Sequence, residues 1–460
     1  MSTEPKLKYT SPLLQWEDQM VTLMLLMITA FALLPSGFNW QEYTEGGNQV
    51  EGSWEVKLQW GSVFAIAVFI ALRHSTLAIA YLKAANPFVI AMVVYCTIGI
   101  LWSPMASITF KKVIQFAGIV MAAVAFQFTG RDLSHLLKTI LAVLVGIEVI
   151  SAIAAVFFPT LGIDAYFGTA WRGIASGKND FGYIGSLSVI FWVVLANLQK
   201  MKATTVLAGV GLGVLCVIKA NSSTSIATTL LGLTVFFVLR RQHIGSPLWS
   251  QRILLAVSAA ALIGLQYFFI HESRLPAWGE VIGPFAGLFG KSADLTGRTD
   301  IWIYVAIEIQ KHLLLGVGYG AFWLGPGSAS QAIIDQLPWI PYQSHNGYLD
   351  ILNELGVIGM ALFLGMLIIH VWQLFKLVPI NRQETAFHGT LLVIICFSNF
   401  SESTLFRGVN YPHILLMFSS ISVSSTLYRH RASRQQAAKA TVQRLRETDF
   451  SAQTHRVIGK

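Results

Sequence analysis

Charged side chains are scarce in this sequence. Only 12% of its 460 residues are Asp, Glu, Lys or Arg, whereas 54% are hydrophobic. A soluble globular protein carries roughly a quarter charged residues. The shortage of charge therefore excludes an ordinary soluble domain and indicates an integral membrane protein with many spans.

Cysteine and the common metal-binding motifs are also lacking. The three cysteines, Cys96, Cys216 and Cys396, all fall within apolar runs, where a thiol behaves as a small hydrophobic side chain. No Asp-x-Asp pair and no HExxH motif is present. We therefore expect no disulfide framework, no zinc site, no metal and no cofactor. A metal-dependent transferase that uses nucleotide sugars has little support.

What the chain does have is a series of long apolar runs. Runs of about 15 to 25 residues predict transmembrane helices. Twelve such segments occur, at 19–36, 59–72, 87–102, 112–128, 139–158, 181–198, 203–218, 224–239, 253–271, 348–375, 386–399 and 411–428. The predicted fold is all-α: a polytopic membrane protein of about twelve transmembrane helices, with residues 1–428 as a single membrane domain.

The distribution of Lys and Arg predicts the orientation. If the N-terminus is cytoplasmic, the inner loops and the basic tail 429–460 together hold about 21 of the 32 Lys and Arg residues. Cytoplasmic loops carry such an excess, so both termini are predicted to be cytoplasmic. The net charge of +9 then fits a surface beside anionic lipid better than a nucleic-acid partner.

The longest outer segment, 272–346, is predicted to form a helical cap. Residues 299–314 have an amphipathic helical pattern, and 328–337 could form a second short helix. Between them, Gly316 to Gly320 read Gly-Val-Gly-Tyr-Gly. No strand context surrounds these glycines, so a simple turn is favoured over a nucleotide-binding fingerprint.

Four basic residues on the predicted outer side run against the charge bias. They are Arg172, Lys178, Arg298 and Arg407, which are four of the outward-facing basic residues. The planar guanidinium of Arg matches phosphate geometry, so outward arginines with a lysine would suit a pyrophosphate that joins a lipid to a sugar. The alternative is that each pairs with a loop carboxylate or an outer-leaflet headgroup.

A histidine at the start of an apolar helix is the other candidate. His345 precedes a run in which Asn346, Asp350, Asn353 and Glu354 share one helical face. Such a polar stripe should face the protein interior or a wet cavity. An imidazole there can accept a proton from a sugar hydroxyl near neutral pH. The alternative is an interfacial histidine that is hydrogen-bonded to the loop.

These residues, taken in order, resemble the O-antigen polymerase and ligase family, the Wzy-type group of bacterial surface-polysaccharide enzymes. The resemblance spans about 165–375. Within the family, the sequence resembles the exopolysaccharide-polymerase branch. The matching motifs are Arg172-Gly173, Gly177-Lys178-Asn179, Thr296-Gly297-Arg298 with Trp302, Gly316-Val317-Gly318, His345-Asn346 and Glu354-Leu355-Gly356 with Gly359.

The resemblance implies a metal-independent, inverting glycosyltransferase of the GT-C type in the bacterial inner membrane. It implies an undecaprenyl pyrophosphate-linked glycan as donor and a periplasmic active site. Arg172 and Arg298 match positions that hold the pyrophosphate, and His345 matches the residue that activates the acceptor. Substrate-binding roles are expected for Lys178, Asn179, Asn346, Asp350, Glu354, Glu402 and Arg407. A flippase and a chain-length regulator are possible protein partners.

The sequence leaves three functions open. The first is a polymerase that transfers a growing glycan to a lipid-linked repeat unit. The second is a ligase that transfers finished glycan to a lipid core or to protein. The third, from another class, is a transporter of a small anion, which would show inverted repeats and broken helices. The sequence shows neither feature, which disfavours the transporter. The sequence does not separate the polymerase from the ligase, which differ only in the acceptor, and we adopt the polymerase interpretation.

Overall fold

The computed structural model describes residues 12–39, 53–165, 168–241 and 298–458. In the last of these ranges the side chains are described from 300 to 441. The described chain is helical throughout, apart from loops and one isolated antiparallel bridge between Ile163 and Trp171. The all-α prediction is confirmed.

Thirteen helices of ten or more residues form the described part of the chain. They are α1 (Gln15–Leu33), α2 (Trp54–Arg73), α3 (Ser75–Ala84), α4 (Pro87–Ile98), α5 (Ala106–Gln127), α6 (Leu133–Phe157), α7 (Lys178–Leu198), α8 (Ala203–Lys219), α9 (Ser223–Arg240), α10 (Arg298–Lys311), α11 (Gly347–Leu377), α12 (Arg382–Ser398) and α13 (Tyr411–Ile458).

Eleven of the twelve predicted membrane segments coincide with these helices, and the twelfth, 253–271, lies outside the described residues. Seven of the described helices are long and apolar enough to cross a membrane. The count becomes eight if α3 and α4, which are bent by 99° at their junction, form one broken span. The structure thus shows a multi-span membrane protein, whereas the number twelve stays a prediction.

Polar residues define where several helices begin. The side chain of Asp132 accepts a hydrogen bond from His135 N at 3.0 Å and caps α6. Ser222 caps α9 in the same way, as its position at a helix junction predicts. At the start of α4, Pro87 occupies the first helical position, where its missing N–H costs nothing.

Helix packing depends on close backbone approach. Helix α7 packs against α6, α8 and α9, α9 packs against α12, and α11 packs against α4 and α13. A Cβ atom on Gly185 of α7 would lie 2.8 Å from the carbonyl oxygen of Gly213 on α8. Small residues at such crossings let membrane helices meet closely, where van der Waals contact drives their association.

Helix α11 is broken at Gly356. This glycine has φ 65° and ψ −170°, so the helical hydrogen-bond ladder stops there. The next two N–H groups turn to the cap instead. Val357 N donates to Leu313 O at 2.8 Å, and Ile358 N donates to Leu314 O at 3.3 Å.

The two carbonyl groups that lose these donors are satisfied by the same cap segment. Asn353 O accepts a hydrogen bond from Val317 N at 3.0 Å, and Glu354 O accepts one from Gly318 N at 2.9 Å. Residues 313–318 therefore exchange backbone hydrogen bonds with the broken helix. We call them the docked segment. An unpaired backbone group away from water costs several kcal/mol, so this exchange is what permits the break.

Two sequence-based expectations are corrected here. The apolar run 348–375 was expected to be one continuous helix, and Gly316 to Gly320 were expected to form a simple turn. The helix is broken, and the glycine segment fills the break. Glycine at position 316 lets the two segments approach this closely, because a Cβ there would lie 2.4 Å from Glu354 O. The two predicted cap helices are confirmed, at Arg298–Lys311 and Gln331–Ile334.

Replacing Gly356 with alanine should destabilise the protein strongly. The new Cβ would lie 2.3 Å from Leu314 O, and φ is in the left-handed region. We expect a loss of about 2 kcal/mol or more, seen as a lower thermal unfolding temperature in detergent. The matched control is Gly146→Ala in α6, whose Cβ would meet no atom within 4 Å. Equal unfolding temperatures for the two variants would contradict the account of the break.

Candidate active site

Loops from five parts of the chain meet at one end of the helix bundle, the end that the sequence predicts to be periplasmic. The meeting segments are 99–106, 168–178, 219–223, 312–346 and 399–410. Direct contacts join these loops and the adjoining helix ends: Trp171 N donates to Lys219 O at 2.8 Å, and the hydroxyl of Thr224, at the start of α9, lies 3.1 Å from that of Ser401. We call this the His345 end.

His345 sits in a strained backbone conformation just before α11. Its φ is 53°, a left-handed value that costs a non-glycine residue on the order of 1–3 kcal/mol. Both neighbours are buried and fixed. Ser344 N donates to Asp350 Oδ1 at 3.3 Å, and the side chain of Asn346 caps α11 by accepting from Tyr348 N at 3.1 Å. The strain is held by these anchors, and α11 begins at Gly347, two residues after His345.

A hydrogen-bonded relay joins the imidazole to the loop that carries Glu402 and to the start of α7. Glu402 Oε2 lies 3.4 Å from His345 Nδ1, and Glu402 Oε1 accepts a hydrogen bond from Asn179 Nδ2 at 2.8 Å. The side chains of His345 and Glu402 are 25% and 20% exposed, so the pair borders accessible space. Three residues that are far apart in sequence thus form one group, which we call the histidine relay.

The relay favours one form of the imidazole. A carboxylate can only accept, so the contact with Glu402 favours a hydrogen on Nδ1 of His345. Gln343 Nε2 also lies 3.2 Å from Nδ1, and because an amide nitrogen can only donate, this contact favours a lone pair on Nδ1. The contact with the carboxylate is charge-assisted and therefore the stronger of the two. With a hydrogen on Nδ1, the other ring nitrogen, Nε2, carries a lone pair and can accept a proton. This is the arrangement that a general base requires.

The predicted polar stripe of α11 is buried and holds the cap in place. Asp350, which is 3% exposed, accepts from Trp323 Nε1 at 2.8 Å and pairs with Arg407 Nη1 at 3.2 Å. Glu354 accepts from Gly320 N at 2.8 Å. Arg407 is therefore paired with a carboxylate, the alternative that the sequence left open. These contacts are structural, and contact of these residues with substrate stays a prediction.

Arg172 is buried at the same end and is incompletely satisfied. It is 5% exposed, and its Nε donates to Leu161 O at 2.8 Å. Its Nη2 is buried and has no hydrogen-bond partner among the described residues. The next residue is Gly173, which has φ 59°. A larger residue does not fit at this turn, because its Cβ would lie 2.1 Å from Ser151 Cβ. A buried guanidinium with unused donor capacity is suited to an anionic ligand.

Lys178 is the first residue of α7. Its backbone N donates to Asp164 Oδ2 at 3.3 Å, so a carboxylate occupies part of this helix N-terminus. Lys219 lies nearby, with its Nζ 5.4 Å from the centre of the Trp171 ring. Within the described parts of the chain, no hydrogen bond or ion pair joins Arg172 to the histidine relay.

Arg298 begins the cap helix α10, and its side chain lies outside the described residues. One turn further along, Trp302 Nε1 donates to Ser344 O at 2.8 Å, directly before His345. A separate apolar cluster, including Ile301, Val305 and Phe322, packs the cap against α11. The long loop therefore brings the helix that begins with Arg298 back to the segment that carries His345.

The structure adds a cation that the sequence reasoning missed. Lys112 of α5 passes beside two glycines of different loops: a Cβ on Gly408 would lie 3.0 Å from its Nζ, and one on Gly320 would lie 2.7 Å from its Cγ. Its charge interacts with those of Arg407 and Glu354. The signal was available, because Lys112 opens a predicted span on the outer side, against the charge bias.

Tyr319 lies in the cap beside this charged cluster. It is fully buried, and its ring centre is 6.2 Å from that of Phe116. Burial raises the pKa of Tyr319 well above its ordinary value. The phenol therefore stays neutral and contributes no charge to the His345 end.

Comparison with known proteins supports the family resemblance that the sequence motifs indicate. Residues 208–364 match the protein family described as O-antigen ligase. The chain is also similar to the exopolysaccharide production protein ExoQ of Rhizobium meliloti (strain 1021). The two are 24% identical over 347 residues, which cover 74% of this chain and 73% of that protein. Together they confirm the resemblance to an O-antigen ligase/ExoQ-type family of membrane proteins.

The family match covers some of the predicted site residues and not others. Arg298 and His345 lie inside 208–364, whereas Arg172, Asn179 and Glu402 lie outside it. Among the described residues, no group of three His, Cys, Asp or Glu side chains could hold a metal ion. Independence from metal stays a prediction.

The ion pair between Asp350 and Arg407 should couple strongly in a double-mutant cycle. Asp350→Asn and Arg407→Gln should each lower the unfolding temperature. Arg407→Gln leaves the buried carboxylate of Asp350 without its partner, and Asp350→Asn leaves the partly exposed guanidinium of Arg407 without one. The double variant should lose less free energy of unfolding than the sum of the losses in the two single variants. The difference, which is the coupling energy, should be about 1–3 kcal/mol.

The matched control is the pair Glu308–Lys311, whose lysine is 53% exposed. Glu308→Gln and Lys311→Gln should couple by less than about 1 kcal/mol. Strict additivity of the Asp350 and Arg407 changes would show that the pair does not support the site.

Proposed function

We propose that this protein is a polysaccharide polymerase that transfers a growing glycan from undecaprenyl pyrophosphate to the terminal sugar of a lipid-linked repeat unit. The observation that carries the proposal is the histidine relay, in which Glu402 contacts Nδ1 of a His345 side chain that is 25% exposed at one end of a multi-span helix bundle. Similarity to a protein named for exopolysaccharide production supports this product over other glycans.

His345 activates the acceptor in the proposed reaction. Its Nε2 accepts the proton of the acceptor hydroxyl while that oxygen bonds to the anomeric carbon of the donor. Glu402 stabilises the imidazolium that forms, because the carboxylate lies 3.4 Å from Nδ1. Asn179 holds the other carboxylate oxygen and so fixes the direction of Glu402. General-base catalysis of this kind contributes roughly 10²- to 10⁴-fold.

Arginine stabilises the leaving group. The bond between the anomeric carbon and the pyrophosphate oxygen breaks, and negative charge collects on the lipid pyrophosphate. Arg172 offers Nη2, which has no partner among the described residues. Arg298 begins the cap helix that Trp302 ties to Ser344. Positive groups that are already in place stabilise such charge without reorganising.

Several finer features belong to the same proposal. A single displacement inverts the anomeric carbon, the enzyme is of the GT-C type, and it needs no metal. The site faces the periplasm from the bacterial inner membrane, and both termini are cytoplasmic. Lys178 is proposed as a further contact to the pyrophosphate. The flippase that delivers the lipid-linked repeat and a chain-length regulator are proposed as protein partners.

Two alternative functions, a glycan ligase and a small-anion transporter, are supported to different degrees. A ligase would use the same donor chemistry and differ only in its acceptor, and the family match is described as O-antigen ligase. A small-anion transporter gains one feature from the structure, since α11 is broken. That break, however, is filled by backbone of the cap, which leaves its exposed peptide groups paired with protein.

Glu402→Gln should abolish most of the transfer activity. The new amide keeps an oxygen for Asn179 but turns an N–H₂ group toward His345, which moves the ring hydrogen to Nε2 and removes the proton acceptor. We expect turnover to fall roughly 100-fold or more. Binding of the lipid-linked donor should be retained. The measurement is polymer formed per amount of purified protein from lipid-linked repeats.

The control for this change is Glu308→Gln, which removes a carboxylate from the cap helix α10. It should leave turnover within about twofold of the wild type, since its partner Lys311 is half exposed. Wild-type turnover in the Glu402 variant would exclude the relay from catalysis.

Arg172→Gln and Arg298→Gln should each prevent polymer formation while the protein still inserts into the membrane. Each removes a positive charge from the proposed pyrophosphate site, which should cost roughly 10²-fold or more in turnover. Lys376→Gln, at the opposite end of α11, serves as the control cation. Polymer of normal length and amount in both arginine variants would overturn the pyrophosphate assignment.

The lipid-linked species that accumulates in a deletion strain separates polymerase from ligase. A polymerase defect should leave single repeat units on the lipid carrier, because nothing joins them. A ligase defect should leave finished long chains on the carrier. Mass spectrometry of the extracted lipid-linked glycans distinguishes the two, and long chains would contradict the polymerase.

A further inference from the structure

A tyrosine on a neighbouring helix contacts both sides of the break in α11. Tyr95, on α4, places its hydroxyl 2.9 Å from Leu355 O in the broken helix and 3.0 Å from Leu315 O in the docked segment. Leu355 O is the next carbonyl after the two that the docked segment satisfies. The one hydrogen of this hydroxyl is therefore shared between a carbonyl of the broken helix and a carbonyl of the docked segment.

The approach of this side chain is built into the packing. A Cβ on Gly359 of α11 would lie 3.4 Å from Tyr95 Cε1, so a glycine gives the ring room. On its other side, the ring centre of Tyr95 is 5.9 Å from that of Trp102. The side chain is held on both faces, and its hydroxyl has little freedom to point elsewhere.

The two groups that Tyr95 bridges lead directly to the two halves of the site. Leu315 lies four residues after Lys311, the last residue of α10, which begins with Arg298. Leu355 lies in the first part of α11, five residues after Asp350. Asp350 in turn accepts from Ser344 N, next to His345. The contacts of Tyr95 therefore connect the segment that follows α10 to the part of α11 that holds His345.

We propose that Tyr95 is a positioning residue for the transfer reaction. Its hydroxyl fixes the docked segment in the break of α11 and so sets the distance between the donor site at Arg298 and the acceptor base at His345. This rests on the function proposed above. Tyr95 touches neither substrate in this account, and it acts through backbone carbonyls alone.

Tyr95→Phe tests the proposal because it removes only the hydroxyl. We expect turnover at saturating lipid-linked substrate to fall roughly five- to tenfold, as the loss of one hydrogen bond predicts. Protein amount in the membrane and unfolding temperature should change little. The control is Thr97→Val on the same helix, which removes a hydroxyl whose bond, at 2.7 Å to Val93 O, stays within α4. It should keep wild-type turnover.

Rescue separates positioning from a merely structural effect. Incorporation of 4-aminophenylalanine at position 95 restores an N–H donor at the same place on the ring, and turnover should recover to within about twofold of the wild type. Wild-type turnover in Tyr95→Phe, or no recovery with the amino group while the amount of folded protein is unchanged, would overturn the proposal.

Hydrogen exchange tests the same link without using activity. In Tyr95→Phe, the amides of Val317, Gly318, Val357 and Ile358 should exchange roughly five- to tenfold faster than in the wild type, because the docked segment opens more often. Unchanged exchange would overturn the proposed link. If the wild-type protein proves to have no transferase activity, the proposed function fails, and this measurement still decides whether Tyr95 fixes the break.

Discussion

The exchange of backbone hydrogen bonds at Gly356 is the interaction on which the His345 end depends. A helix within a membrane protein cannot leave peptide groups unpaired, since each would cost several kcal/mol. The cap segment 313–318 supplies partners for two N–H groups and two C=O groups of α11. The cap therefore completes the backbone hydrogen bonding of α11. It is also why both Gly316 and Gly356 must lack a side chain.

From this fixed point the site is built outward. The first part of α11 carries Asp350, which gathers Trp323 and Arg407 around it. The same carboxylate holds Ser344, so the strained backbone of His345 lies between two anchored neighbours. Glu402, from the loop 399–410, contacts the imidazole, and Asn179, at the start of α7, holds Glu402 in place. In the proposed function, binding, orientation and proton transfer fall to separate elements, and the cap contacts the helix that carries them.

The sequence predicted the helices well because each apolar run must bury its own backbone hydrogen bonds. It also identified the polar stripe of α11 from the spacing of Asn346, Asp350 and Glu354. It could not predict the break, because a single Gly356 is equally compatible with a close helix crossing. The pairing of Arg407 with Asp350 and of Glu402 with His345 joins residues 57 positions apart. Such tertiary contacts have no local signal, whereas Lys112 did have one in the charge bias.

The central claim is that His345 activates an acceptor sugar for transfer from a lipid pyrophosphate. The most direct measurement uses the purified protein in liposomes with a defined lipid-linked repeat unit as the only substrate. We expect lipid-linked glycans of two or more repeats, with one free lipid pyrophosphate released per bond formed, and no product from His345→Gln. Absence of longer glycans with the wild-type protein, or equal product from His345→Gln, would contradict it.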